Sequence, residues 1–233
     1  MDADPTDVDP TDTDPTDTGT MTATDRDLAS VLDFLVLAER LKTELRHSWL
    51  SDGRRESVAE HTWMMALMAL ALGPRLEHPV DVARAMELVV VHDIAETEVG
   101  DIPVFEKSAR KAAKARAEAA AMERICARLP PDLGARIGAA WREFEDGVTP
   151  EARFARALDH LEVQLQHNLA DLDTWEPVEL GLVWTKMDGP CAHDATLRAL
   201  AAAIRARAEA KLAAAGHDVA ALRAQHATPR VQP

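Results

Sequence analysis

The chain has 233 residues, enough to bury one full core, and a formal charge of −14 that argues against a nucleic-acid-binding module. Residues 1–20 hold seven aspartates and no basic residue, which leaves the rest of the chain near −7. Cys126 and Cys191 stand alone, without metal-thiolate or disulfide spacing, which fits a reducing cytoplasm. No secretory pattern opens the chain, and the longest apolar run, Trp63 to Gly73, is too short to span a membrane.

Residues 1–26 read as a disordered tail built on Asp-Pro-Thr-Asp, with too few apolar side chains to offset the entropy of ordering. The globular unit is expected over 27–215, and 216–233 as a polar C-terminal tail. A first helix follows from apolar residues at Leu28, Val31, Leu32, Leu35, Leu41 and Leu45. The stretch RHSWLSDGRR reads as a loop. Ser57 and Glu60 form an S-x-x-E capping box ahead of a second helix, which stops at Gly73-Pro74. A third helix is predicted to run unbroken from an Asp81 cap to Gly100. An Ala-rich helix ending at Pro130-Pro131 shows no chemistry. Shorter and longer helices follow from Leu133 and Glu151, and a last one from Asp194. No strand pattern alternates with these, so the fold class is all-α, a single helical bundle.

One apolar segment ends in a charged run, Val89-Val-Val-His92-Asp93-Ile-Ala-Glu96-Thr-Glu98-Val-Gly-Asp101. Buried charge needs a partner, and a metal ion is one. His61, in the first turn after Ser57, and Asp159, on a largely apolar helix face, are candidates to complete a set with His92 and Asp93. Each has a plainer explanation. A histidine near a helix start is commonly a surface residue, and Asp159 could pair with Arg153 or Arg156. Glu98 reads as solvated surface, Trp63 and Trp141 as core, and His160 and His167 as helix surface.

The motifs RRESVAEHTW, VVHDIAETEVGDI and ARALDHLEVQLQHN make the chain resemble the HD-domain metal-dependent phosphohydrolases over roughly residues 28–200, and their 5′-deoxynucleotidase branch most. The resemblance implies the metal set His61, His92, Asp93 and Asp159, binding one divalent ion such as Mn²⁺, Co²⁺, Fe²⁺, Zn²⁺ or Mg²⁺. It also implies catalytic roles for Glu96 and Asp101, in an order the sequence leaves open. Arg54 matches a family arginine, with Arg55 beside it. The family's substrate-gripping Arg-Trp pair has its nearest equivalent in Arg46 and Trp49, although His47 and Ser48 separate them here. Some HD proteins are di-iron oxygenases with extra histidines before the last aspartate; none occurs from Ile94 to Leu158. The expected activity is removal of phosphate from a (deoxy)nucleoside 5′-monophosphate. The alternatives are hydrolysis of another small phosphoester or a non-catalytic helical interaction protein. No membrane or nucleic-acid polymer is expected as partner, and related proteins imply a homodimer.

Overall fold

A computed structural model describes residues 22–103 and 105–227. The repeat at 1–20 and the last residues of the expected C-terminal tail lie outside them. The structure is helical around a single long helix, α7 (Pro150–Leu169), which packs against α2 (Val58–Leu72), α3 (Val82–Val91), α6 (Pro131–Asp146), α9 (Asp188–Cys191) and α10 (Ala195–Ala214). A helix packed on several sides must bury a broad apolar face. Phe154, Ala155, Leu158 and Leu161 are fully buried.

The expected boundaries hold where capping chemistry was written in the sequence. Ser57 accepts from the Glu60 amide while Glu60 accepts from the Ser57 amide, closing the capping box of α2. Asp81, Thr149 and Asp194 cap α3, α7 and α10 through their side chains. The first helix, α1 (Ala23–Ala38), begins four residues earlier than the expected start of the globular unit. Thr22 and Asp25 form a second capping box there.

Three expectations are corrected. The predicted loop after Glu44 contains an antiparallel hairpin, β1 (Leu45–Trp49) with β2 (Arg55–Ser57), whose irregular register turns consecutive side chains toward one cavity. The predicted unbroken helix to Gly100 divides into α3 and α4 (Glu96–Val99). Between them the backbone tightens to i→i−3 hydrogen bonds, from Ile94 to Val91, Glu96 to Asp93 and Thr97 to Ile94. The His92 ring contributes to the break: its Nδ1 lies 2.7 Å from the Val89 carbonyl, the acceptor that a continuing helix would offer to the Asp93 amide. Finally, the expected C-terminal tail contains α11 (Val219–Ala227), whose Val219 and Leu222 cover a small satellite core of Trp175, Val183, Trp184, Ala208 and Leu212.

Trp141 lies in the main core, whereas Trp63 is 62% exposed. The reason is that α2 is apolar on every side. It buries Met65, Met68 and Ala69 and leaves Trp63, Leu67 and Leu70 facing out, one helical stripe at i, i+4, i+7. Helix α1 exposes a similar stripe, Leu28, Leu32 and Leu35, together with Val36.

Candidate metal centre

Three elements deliver the candidate ligands to one place: the first turn of α2, the end of α3 and the middle of α7. Ligand atoms of His61, His92 and Asp159 lie within 4.8 Å of one another. Asp93 adjoins this trio through His92, its Oδ2 2.9 Å from the His92 Nε2, and the His61 Nε2 lies 3.3 Å from Asp159 Oδ1. Neither approach has hydrogen-bond geometry, so both buried Nε2 atoms are unpartnered.

The tautomers follow from the opposite side of each ring. A carbonyl oxygen can only accept, so His92 must carry a proton on Nδ1, which leaves Nε2 as the nitrogen open to a ligand. His61 Nδ1 lies 2.6 Å from the buried Glu162 carboxylate, which fixes the same orientation. With both Nδ1 atoms so engaged, a cation would meet two imidazole Nε2 atoms and two carboxylates, a donor set suited to a divalent ion of intermediate hardness.

The surrounding charges show the same tension. Burial and Arg46 push the His61 pKa down, but Glu162 and Asp159 outweigh them and raise it to about 10. In the ion-free network a proton thus takes the place a cation would fill, and a cation would displace it. Burial opposes ionisation of Asp93 and Asp159, yet His92 and Arg46 around the first and His61 around the second hold both far below the usual carboxylate range. Arg46 stays charged: burial is outweighed by Asp93, Asp101 and Asp159, and its Nη1 is 3.4 Å from Asp93 Oδ2.

The donors open onto a cavity of about 240 Å³. Arg46, Asp93, Glu96, Asp101 and Asp159 line it. Glu96 follows Asp93 by one tight turn, which stacks the two carboxylates on one side. Burial first, then the charges of Asp93 and Asp101, raise the Glu96 pKa to about 9, against Lys114 and Arg46. Asp101 is turned into the cavity by Gly100, whose φ of 74° suits glycine. Glu44 clamps that turn by accepting from the Asp101 amide at 2.9 Å.

Not every candidate reaches the cavity. Arg54 is outside its lining, half exposed and ion-paired with Glu60, because both sit on the solvent side of the α2 cap. Arg55 donates to the Arg46 and Leu45 carbonyls across the hairpin, and its guanidinium sits 6.0 Å from the Trp49 ring. Trp49 is likewise outside the lining, its carbonyl accepting from Gln166. The hairpin register turns His47, rather than Trp49, inward beside Arg46.

Several cavity residues lacked a sequence signal. Lys111 and Lys114 come from α5 (Ala109–Ala127), the Ala-rich helix that showed no chemistry. Lys114 lies 3.3 Å from Glu96 and 2.6 Å from Glu118. His160 and His167, expected on the surface, line the cavity, and His167 is buried with its pKa lowered by burial to about 4. His167 and His47 approach Glu179 at 3.5 and 3.7 Å, and burial raises the Glu179 pKa to about 7. Glu162 was findable: it follows Asp159 by one turn, where a carboxylate can orient a ligating histidine. Asp159 pairs with neither Arg153 nor Arg156, and Glu98 is engaged by Arg124 at 2.6 Å.

A helical domain whose His61 and His92, both buried, meet Asp159 at the end of a charged cavity is arranged to hold a divalent metal. Residues 38–193 match the HD domain family, and the chain belongs to it. It is 37% identical over 139 residues to the 5′-deoxynucleotidase HDDC2 of Xenopus laevis, covering 59% of this chain and 67% of that one. The corresponding Danio rerio protein is 33% identical over 171 residues, covering 72% and 83%. Among solved structures, one described as a predicted metal-dependent phosphohydrolase of Magnetospirillum magnetotacticum MS-1 superposes with a TM-score of 0.66 at 29% identity, covering 83% of this chain and 97% of that one. A Pyrococcus furiosus protein at 22% identity shares the fold, with a TM-score of 0.57 over 75% of this chain and 99% of its own.

Proposed function

We propose that the chain is a metal-dependent phosphohydrolase that removes phosphate from a (deoxy)nucleoside 5′-monophosphate. The observation that carries this reading is the pair of buried, unpartnered imidazole Nε2 atoms, each set by a bond at Nδ1, facing Asp93 and Asp159. His61, His92, Asp93 and Asp159 would hold one divalent ion, with Mn²⁺, Co²⁺, Fe²⁺, Zn²⁺ and Mg²⁺ as candidates. Such an ion, when bound, supplies a Lewis acid for a phosphoryl oxygen and lowers the pKa of water.

The chain's own residues account for the remaining chemistry. Arg46, Lys111 and Lys114 give the cavity the cations that a phosphate dianion requires. Water oxygen bonds to phosphorus while the bond from phosphorus to the 5′ oxygen breaks. Glu96, protonated at neutral pH because burial and its carboxylate neighbours raise its pKa to about 9, gives its proton to the departing oxygen. Asp101, across the Gly100 turn, accepts the proton of the attacking water. The products are nucleoside and inorganic phosphate. His47, Phe105 and Glu179 form a second cluster in the same cavity, with the His47 and Phe105 rings edge-to-face at 4.7 Å, and this cluster is assigned to the nucleoside.

The relatives named as 5′-deoxynucleotidases support this substrate class. Among the described residues no helix is long and apolar enough to cross a membrane, and the free Cys126 and Cys191 support a cytoplasmic location. A homodimer is supported by the exposed apolar stripe on α1. The test is phosphate release from nucleoside monophosphates, deoxynucleoside monophosphates and sugar phosphates with each of the five ions. Turnover of nucleotides is expected; turnover of sugar phosphates alone, or of nothing, rejects the assignment.

A further inference from the structure

A second concavity, of about 470 Å³, lies along α7 and α9 and is lined by Arg153, Arg156, His160 and His193, with Gly147, Gly189, Pro190 and Ala192. No carboxylate lines it, although the chain as a whole is strongly acidic. Arg153 and Arg156 stand three residues apart on one face of α7, both exposed. Like charges at that spacing repel unless an anion lies between them. Several surface arginines end on carboxylates, as Arg84 does on Glu143, Arg124 on Glu98 and Arg136 on Glu87. Here the Arg153 side chain has no partner among the described residues, and Arg156 donates to the Glu145 carbonyl while its charge acts on the Glu145 carboxylate. Glycine at 147 makes room for that guanidinium: a Cβ there would stand 2.7 Å from the Arg156 Nη1. His193, from the facing segment, spends Nδ1 on the Pro190 carbonyl, which leaves Nε2 available to a ligand.

We propose that this groove is an anion site, distinct from the metal cavity, that binds the phosphate groups of a small molecule. The two arginines grip the phosphate from α7, and His193 closes the opposite wall. The volume falls within the range of small-molecule sites, roughly 300–1,000 Å³, so the groove accommodates a nucleotide as well as a bare ion. His160 lines both concavities, which places the groove directly behind the candidate ligand Asp159. The site stands whether or not the metal cavity hydrolyses nucleotides, because its readout is binding.

The test is calorimetric titration of the full chain with orthophosphate and, separately, with ATP, both in the presence of a chelator so that no metal recruits phosphate to the cavity. Saturable binding of one or both probes is expected, weakened about tenfold or more in R153Q/R156Q and abolished in R153E/R156E. ATP binding without orthophosphate binding identifies a nucleotide site, and the reverse identifies a site for the free ion. K111Q/K114Q takes two lysine charges from the metal cavity and removes any binding phase that belongs to it, while the phase sensitive to R153Q/R156Q should persist in it. Both arginines are exposed, and unchanged thermal melts would show that the variants fold. The proposal is overturned if neither probe binds, if the arginine variants bind like wild type, or if the lysine variant loses the arginine-sensitive phase.

Discussion

Lowering the pH should weaken metal binding by one decade per unit, because the cation and a single proton compete for the same place. With the His61 pKa at about 10, essentially every ion-free molecule at pH 6–8 carries the proton on His61. A divalent ion must displace it to reach the Nε2 lone pair. Each pH unit below 10 then costs about 1.4 kcal/mol of apparent binding free energy, or tenfold in Kd. Between pH 8 and pH 6 the Kd should rise about 100-fold. Calorimetry in buffers of different ionisation enthalpy, with a competing chelator to set the scale, gives both the slope and the protons released. One proton per ion is expected. A pH-independent Kd would mean that His61 is neutral in the empty site. Release of two protons would mean that Glu96 is deprotonated on loading, which would remove the proposed acid.

Glu162→Gln keeps the shape but replaces the charged acceptor at His61 Nδ1, and should weaken metal binding by about 10–100-fold without unfolding the chain, as read by chelator competition and a thermal melt; unchanged affinity would deny Glu162 its orienting role. Lys114→Met removes a charge that holds the Glu96 pKa down, so the alkaline limb of the kcat/KM profile should move upward by about 1 unit. A limb that stays in place would show that Glu96 is not the titrating acid. In metal-free protein, Glu56, buried in β2 3.6 Å from Arg46, and Glu96 are pushed by burial from an ordinary 4.5 to about 7 and about 9, and His61 rises from 6.5 to about 10. All three bind protons more tightly folded than unfolded, so their contribution is full at low pH and is lost as pH rises through the folded values. The melting temperature of the chelated protein should therefore fall between pH 6 and pH 9, and excess metal should reverse the trend. A flat or rising profile without metal would contradict the buried-charge account.

Features governed by local chemistry were legible in the sequence, and features governed by distant contacts were not. Ser57, Asp81 and Asp194 announce helix starts because a capping side chain bonds within three residues of itself. The break at His92 depends on a ring turning back to Val89, in a run whose apolar period alone favours continuation. The hairpin was hidden because its strands are short and one edge of it is shaped by packing on α7. The ligand quartet could be ordered only through the resemblance of three motifs to those of the HD-domain family. Lys111 and Lys114 escaped because lysines on an Ala-rich helix look alike whether they face solvent or a cavity. His47 rather than Trp49 lines the cavity because the irregular register of the hairpin, invisible in a segment read as a loop, decides which side chain turns inward.

The most direct measurement is the divalent metal content of the purified full chain after saturation and dialysis, compared with that of H92A and D159N. About one ion per chain in the wild type, and little or none in either variant, is the predicted result. Wild-type protein that retains none of the five ions, or variants that retain as much as the wild type, would contradict a metal centre built from these side chains.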